Sequence, residues 1–466
     1  MRAENFVQAL VNLRNTLVAI AICRSGSAVL ILRSLFFVAV FSFAARNLAA
    51  TPSENPAAWP RWLESGSSPI VFSLRRLAGL PDASVSSAVG DSDATQSLLA
   101  WTEQTLRLIQ KYQQNPQRAA RALALLHAAM HDAFVLAARD SGSAAGGMAA
   151  AHRAVSLTLA YLYPYESVGW IEGKGLALSH AWADAQRVGS ARLERELQIG
   201  EQVAGDAIRR ARTDGSDRRI AAPPPLSTDP GRWRAAPPLN IHTPQEPLAG
   251  EWRPWVRESG DVQPPPPPVY DSAKFWTEAE EVYRVWKNLT LKQKAIADDW
   301  NLQAGSVTPP GVWNQRAIEL LRSEKLTPAS AARVLAVLNI AMNDAAIACW
   351  RAKYRWWTVR PVTVIRERFD PNFLPQLITP PHPSYVSGHA TVSGAAEIAL
   401  AAFFPDRRVD LHAFAEEAAM SRLWGGIHYR SDNDEGLRLG RRVGERVTKQ
   451  AFGTPESYQR DAGKNP

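Results

Sequence analysis

The stretch ARALALLHAAMHDAF at residues 120–134 recurs as ARVLAVLNIAMNDAA at residues 332–346, with nine of fifteen positions identical and no gap. In both copies the apolar side chains recur at three- and four-residue spacing, which predicts helices with one broad apolar face. A repeated helical segment favours two related helical bundles. Chance similarity between two alanine-rich helices is the alternative interpretation.

The rest of the chain supports an all-α fold. Helical periodicity begins near Gln96 and resumes at Asp271, and strand-like alternation is nearly absent. Between these parts, proline runs predict a loop, and the interleaved tryptophans favour an ordered loop over a disordered linker. We expect two related helical bundles packed as one large unit, with a leader at 1–50, an irregular arm at 51–95, an N-terminal bundle at 96–220, a Pro/Trp-rich loop at 221–270, a C-terminal bundle at 271–452 and a tail at 453–466.

Composition narrows the class of protein and of partner. The 466 residues are 46% apolar and 21% charged, which is ordinary for a globular protein. The net charge of +8 indicates an anionic small-molecule substrate rather than nucleic acid, because the basic residues are dispersed and no recognition motif is present. Two cysteines cannot form a disulfide framework, and Cys349 is expected to be a buried, inert thiol. Association into a homo-oligomer is left open.

The first fifty residues are typical of an export signal. Arginines flank the apolar run SLFFVAVFSFAA at residues 34–45, and Leu48-Ala49-Ala50 offers a small-residue cleavage site. The mature protein is therefore predicted to be periplasmic or secreted. An uncleaved leader, acting as an N-terminal anchor, is the one route to a membrane that the sequence leaves open.

One set of histidines has the spacing of metal ligands but a different interpretation. His127, His131 and Asp132 lie on one helical face of the first repeat copy. The second copy has Asn339 and Asn343 in place of the two histidines. Asparagine is not a usual zinc ligand, so we interpret these side chains as polar contacts between helices.

The segment from residue 353 onwards holds candidate anion-binding side chains. Lys353 ends a helical pattern, and Arg360 precedes Pro361, which biases the arginine towards an extended conformation outside a helix. The planar guanidinium of Arg360 offers two donors to an oxyanion, while Lys353 supplies a compact charge.

A predicted helix start follows along the chain, at Ser387-Gly388-His389. Ser387 is a good N-cap, and Gly388 lets an anion approach the backbone N–H groups at the positive end of the helix. His389, in the first turn, would point at the same anion.

The last piece is Ser421-Arg422-x5-His428-x3-Asp432, interrupted by Gly425-Gly426. On an unbroken helix Arg422 and His428 would lie about 240° apart, so the glycines are needed for them to face one target. Asp432 follows His428 by four residues. At that spacing a carboxylate reaches one ring nitrogen, fixes the tautomer and leaves the other nitrogen as nucleophile or ligand.

Together these segments resemble the superfamily of vanadium-dependent haloperoxidases and type 2 phosphatidic acid phosphatases, whose pattern is K-x6-R-P, P-S-G-H and S-R-x5-H-x3-D. The chain departs from it at Val386, where the family usually has proline; that residue shapes the loop and does no chemistry. The resemblance covers about eighty residues and is specific in combination. The length and the Pro/Trp-rich loop look more like the soluble haloperoxidases than like the phosphatases.

The resemblance implies a role for each matching residue. His428 would be the axial ligand of vanadium in a haloperoxidase, or the nucleophile that forms a phosphohistidine in a phosphatase. His389 would be the acid–base residue, and Asp432 would orient His428. The non-reacting oxygens of vanadate or phosphate would be bound by Lys353, Arg360, Ser387, Gly388 and Arg422.

Trp350 and His382 would line the halide pocket. Similar bromoperoxidases carry histidine at the position of His382, and chloroperoxidases carry phenylalanine, which favours bromide or iodide. The sequence therefore predicts a haloperoxidase that uses vanadate, peroxide and halide. An acid phosphatase that hydrolyses phosphate esters without a cofactor is the alternative, and a non-catalytic oxyanion-binding protein is a second alternative.

Overall fold

The computed structural model describes residues 55–66, 91–143, 146–166, 168–222, 227–324 and 326–452. The predicted leader and tail, and most of the predicted arm, lie outside these residues. The helices are α1 Asp91–Lys111, α2 Pro116–Ser141, α3 Met148–Leu162, α4 Val168–Ala185, α5 Ser190–Thr213, α6 Arg257–Gly260, α7 Ala273–Lys287, α8 Leu291–Asp299, α9 Thr308–Ser323, α10 Pro328–Trp356, α11 Pro361–Arg368, α12 Gly388–Phe403, α13 Arg408–Trp424 and α14 Arg430–Phe452.

Strand structure is nearly absent from the described part of the chain. Its one β feature is an isolated bridge between Arg232 and Thr358. The predicted all-α fold is therefore confirmed, and α1 begins five residues before the predicted start of the N-terminal bundle at residue 96.

The two repeat copies form the centres of α2 and α10, which pack against each other. Both helices begin at a polar N-cap followed by proline, Asn115 before α2 and Thr327 before α10, because proline suits the first helical turn. By length and composition both could cross a membrane, but 89% and 100% of their most apolar windows are buried inside the protein. Both are therefore core helices that pack against other parts of the protein.

The duplication extends beyond the helices. Asp132 of α2 accepts the backbone N–H groups of residues 62 and 63 at 3.0 and 2.8 Å, and Asp344 of α10 accepts those of residues 255 and 256 at 2.8 and 2.9 Å. The two bound segments are similar in sequence, WPRWLESG at 59–66 and WRPWVRESG at 252–260. We call them the first and second straps. Each bundle thus holds one tryptophan-containing strap through an equivalent aspartate.

Two predicted irregular segments are packed against the bundles. In the predicted arm, Trp59 and Leu63 of the first strap are each 3% exposed. In the Pro/Trp-rich loop, Trp233 and Trp252 are 6% and 4% exposed. Burial of these large side chains offsets the entropy of ordering a proline-rich backbone.

The histidines with metal-like spacing make contacts between helices and with the first strap. The ring of His127 contacts Thr102 Oγ1 of α1 and the Leu123 carbonyl, both at 2.9 Å. His131 contacts Asp132 at 3.0 Å and stacks on Trp59 of the first strap. Within the described ranges no cluster of three or more His, Cys, Asp and Glu side chains is arranged to hold a metal ion.

Candidate functional site

Lys353 approaches the site from the last turns of α10. Its side chain is fully buried, and Nζ donates to the carbonyl groups of Pro383 and Ser384, each at 2.8 Å. Burial lowers the pKa of this ammonium group to about 7. Lys353 therefore fixes the loop before α12. A nearby anion would favour the charged form of its ammonium group.

Arg360 is the N-cap of α11 and has an extended backbone, with φ −85° and ψ 150°, as expected before Pro361. The guanidinium is fully buried. Nε donates to the His382 carbonyl at 2.8 Å, Nη1 donates to the Ile427 carbonyl at 2.6 Å, and Nη1 also lies 3.2 Å from His428 Nε2. Burial lowers its pKa to about 10, so Arg360 remains a cation at neutral pH.

His382 is oriented by the same guanidinium. Arg360 Nη2 can only donate and lies 2.9 Å from His382 Nδ1, closer than the Pro383 carbonyl at 3.2 Å, so we assign Nδ1 as the acceptor and place the ring proton on Nε2. The ring centroid lies 5.1 Å from that of Trp350. Burial keeps the pKa of His382 well below its usual value. The side chain is therefore a neutral N–H donor beside an indole ring.

The glycine pair after α13 turns the chain as the sequence requires. Gly426 has φ 74°, a conformation that favours glycine, and the turn places His428 beside α14. His428 Nδ1 lies 2.8 Å from Asp432 Oδ2, and because a carboxylate accepts, Nδ1 carries the proton. His428 Nε2 is thereby unprotonated, and its lone pair accepts from Arg360 Nη1 at 3.2 Å. Burial holds the pKa of His428 well below its usual value.

Asp432 lies in the first turn of α14 and is 2% exposed. Its Oδ2 also accepts the Tyr429 N–H at 3.1 Å and the hydroxyl of Ser384. Burial raises the pKa of Asp432 to about 6. At neutral pH the carboxylate is ionised and can hold the His428 tautomer.

Ser387 and Gly388 form the start of α12. The Ser387 hydroxyl caps the helix by accepting the Ala390 N–H at 3.5 Å. The backbone N–H of Ser387 donates to the Asp432 carbonyl at 2.9 Å. A Cβ atom at Gly388 would lie 3.3 Å from Cζ3 of Trp350. Glycine thus lets the indole ring lie directly against the helix start.

His389 is held by a backbone carbonyl. Its Nε2 lies 3.0 Å from the carbonyl oxygen of Trp300, so Nε2 donates and Nδ1 is the unprotonated nitrogen. Burial first, and then the nearby Arg422, hold the pKa of His389 well below its usual value. His389 is therefore a neutral base in this structure.

Arg422 has an unsatisfied guanidinium. The side chain is fully buried; Nε donates to Ser421 Oγ at 3.0 Å and Nη2 to the Ala297 carbonyl at 3.3 Å. Nη1 is buried and has no hydrogen-bond partner among the described residues. Burial lowers the pKa of Arg422 to about 9. A buried cation with an unused donor is costly, and an anion at Nη1 would remove that cost.

These side chains surround one small cavity of about 40 Å³ that opens to solvent. Among the predicted site residues it is lined by Trp350, His382, Gly388, His389, Arg422 and His428. The other four, Lys353, Arg360, Ser387 and Asp432, fix the lining residues or the loop that carries them. The structure thus brings all ten predicted residues to one place.

Sequence reasoning missed several residues of the cavity and its support. Gln117 of α2 and Gln245 of the Pro/Trp-rich loop line the cavity, and their side-chain amides are joined by a hydrogen bond of 3.0 Å. The Gln245 carbonyl accepts Trp350 Nε1 at 3.2 Å. Trp300, which holds His389, was also missed. None of these residues carries a local signal, because each acts through contacts between distant parts of the chain.

Comparisons with known proteins agree on one family. Residues 333–372 and 407–454 match the family described as VCPO second helical-bundle domain. Vanadium-dependent bromoperoxidases of Corallina officinalis and Corallina pilulifera are 35% and 34% identical to this chain over 105 residues. The matched part covers 16% of this chain and 18% of each relative, so the chain spans under a fifth of their length.

Solved structures extend the similarity to most of the chain. The crystal structure of the first bacterial vanadium-dependent iodoperoxidase is similar, with a TM-score of 0.65 and 28% identity over 76% of this chain and 96% of that chain. An apo-type bacterial vanadium-dependent chloroperoxidase has a TM-score of 0.52 at 16% identity, over 80% of this chain and 97% of that chain, which shows the shared fold.

Proposed function

Because the chain belongs to the superfamily of vanadium-dependent haloperoxidases and type 2 phosphatidic acid phosphatases, we propose that it is a vanadium-dependent haloperoxidase. It would oxidise bromide or iodide with hydrogen peroxide to the hypohalous acid. The observation that carries the proposal is the buried Nη1 of Arg422, which has no partner among the described residues and belongs to a side chain that lines the same cavity as His428; an oxyanion would satisfy this donor.

The residues present fit vanadate. Arg422 offers an unused donor, and Gly388 lines the cavity at the start of α12. His428 has an unprotonated Nε2, which contacts Arg360 Nη1 in this structure. These groups would hold the oxyanion, with Lys353 and Arg360 adding positive charge behind them. Bound vanadate supplies Lewis acidity that activates peroxide without a change in metal oxidation state.

The chain's own residues would orient the reactants and move protons. Asp432 holds the Nδ1 proton of His428, which directs Nε2 towards the oxyanion. His389, neutral and with Nδ1 unprotonated, would accept a proton from peroxide. The His382 ring, whose proton resides on Nε2, would donate a hydrogen bond to the halide beside Trp350.

The test starts from protein freed of metal. Orthovanadate is added, and peroxide-dependent bromination of a phenolic dye is followed with bromide, iodide and chloride in turn. Hydrolysis of a phosphate monoester without vanadate is measured in parallel. Vanadate-dependent activity that is greater with bromide or iodide than with chloride supports the proposal. Ester hydrolysis without any halide oxidation would replace it with the phosphatase.

His428→Ala should abolish halide oxidation while the protein stays folded, because it removes the nitrogen that would bind vanadium. His412→Ala is the matched control. His412 lies on α13, bonds Glu397 at 2.9 Å outside the cavity, and should keep full activity when replaced. Turnover in His428→Ala equal to that of the unaltered protein would refute the assignment.

A further inference from the structure

Ser384 is a buried serine that links two parts of the site. It lies in the loop between α11 and α12, three residues before the N-cap of α12, and is 0% exposed. Its hydroxyl donates to Asp432 Oδ2, its carbonyl accepts Lys353 Nζ at 2.8 Å, and its N–H donates to the Thr358 carbonyl at 3.1 Å. All three of its polar groups are thus engaged.

The backbone of Asp432 is tied to the start of α12 by the Ser387 N–H, whereas its carboxylate receives one donor from outside its own segment. Of the three donors to its Oδ2, His428 and Tyr429 belong to the turn immediately before α14 and move with it. Ser384 is the third donor and comes from the opposite loop. Its hydroxyl is therefore the side-chain contact that fixes the carboxylate relative to the loop held by Lys353.

We propose that Ser384 is a positioning residue, which holds Asp432, and through it the His428 imidazole, at a fixed place relative to Lys353. Ser384 does not line the cavity, so its effect on a bound oxyanion passes through Asp432 and His428. The importance of Ser384 for catalysis rests on the proposed function. Its effect on the orientation of His428 does not depend on that function.

The proposal predicts the effect of Ser384→Ala in the full chain. The change removes the hydroxyl and keeps the backbone bonds to Lys353 and Thr358. We expect at least about tenfold weaker binding of both orthophosphate and orthovanadate in calorimetric titrations. The reason is that the variant lacks the hydrogen bond to the charged Asp432 carboxylate, which orients His428. Ser384→Thr, which keeps the hydroxyl, should recover much of this affinity.

A spectroscopic measurement reports the His428 orientation directly. The Nδ1–H proton shared with Asp432 should give a downfield proton resonance, assigned by its absence from His428→Ala. It should be lost or broadened in Ser384→Ala. The matched control is Ser393→Ala: Ser393 is a fully buried serine of α12 whose hydroxyl accepts Trp313 Nε1 at 2.9 Å, outside the site. The control should keep both the resonance and the anion affinity.

The outcomes separate this proposal from the proposed function. If Ser384→Ala keeps the resonance and the affinity, or if Ser393→Ala loses them equally, Ser384 has no positioning role. If the unaltered protein binds the anions but oxidises no halide, the haloperoxidase assignment fails while the role of Ser384 is still decided. If the unaltered protein binds neither anion, the haloperoxidase assignment also fails. In that case the proton resonance by itself decides whether Ser384 has a positioning role.

Discussion

Replacement of Arg422 by methionine should make the anion-free protein more stable and its anion site much weaker. Burial lowers the pKa of Arg422 from 12.5 to about 9. At about 1.36 kcal/mol per pKa unit, the buried charge costs ~5 kcal/mol. Because the folded pKa is the lower one, this cost is fully present at pH 7, where the group is charged in both states, and it declines only above about pH 9.

Methionine keeps an apolar chain of similar reach and carries no charge. The replacement also removes the two hydrogen bonds to Ser421 and the Ala297 carbonyl, at ~1 kcal/mol each. The net expectation is a gain of about 3 kcal/mol in the free energy of unfolding, measured by urea denaturation without phosphate or vanadate. A purely structural arginine would give a loss instead.

The second measurement repeats the denaturation with phosphate. At a concentration 100 times Kd, phosphate should stabilise the unaltered protein by about 2.7 kcal/mol. Loss of the charge-assisted hydrogen bonds from Arg422 should weaken binding by roughly a hundredfold, which leaves ~0.4 kcal/mol at the same concentration. A variant that is less stable without anion, or that keeps the full phosphate effect, would refute this reasoning.

Arg153→Met provides the matched control. Arg153 is also buried, and its Nη1 also has no partner among the described residues, but it lies in the first bundle and bonds Glu201 at 2.7 Å. Its replacement leaves that carboxylate without its ion pair, so stability should fall. The stabilisation by phosphate should be unchanged, because the site is elsewhere.

Three further predictions follow from single side chains. Burial lowers the pKa of Lys353 to about 7, so phosphate affinity measured by calorimetry should weaken as pH rises from 6.5 to 8.5, and Lys353→Met should flatten that dependence. Burial lowers the pKa of His127 to about 3, so at pH 5 the unfolded state binds a proton at this residue and the folded state does not. The unaltered protein should therefore become less stable between pH 7.5 and pH 5. In His127→Asn this loss of stability, measured from urea unfolding midpoints, should be smaller by ~2 kcal/mol. In Gly388→Ala the new methyl group should contact the Trp350 ring too closely and weaken phosphate binding by roughly tenfold. Tryptophan fluorescence would follow the binding. Unchanged affinity would show that the ring moves aside without cost.

Local rules were sufficient for much of the site. The Pro361 ring predicts the extended backbone of Arg360, and four-residue spacing predicts the bond between His428 and Asp432. The glycine pair predicts the break after α13. Each of these features depends on the backbone within a few residues, so the sequence contains the whole cause.

Contacts made through the backbone of distant segments could not be predicted in this way. His389 is held by the Trp300 carbonyl, and Lys353 donates to the Ser384 carbonyl. Every residue has a carbonyl group, so residue identity does not indicate which one will face a catalytic side chain. The similarity of the two straps was also missed, because its significance lies in the equivalent aspartates that bind them.

The first strap limits where a recombinant protein can begin. Trimming the chain to the start of α1 would remove the backbone donors to Asp132, whose side chain is completely inaccessible to water, and the indole that covers His131. Loss of these hydrogen bonds and of the buried Trp59 and Leu63 side chains would cost several kcal/mol, a large fraction of the stability of a typical protein. Vectors for crystallisation should therefore retain everything from Asn55 onwards, whichever upstream residues are discarded.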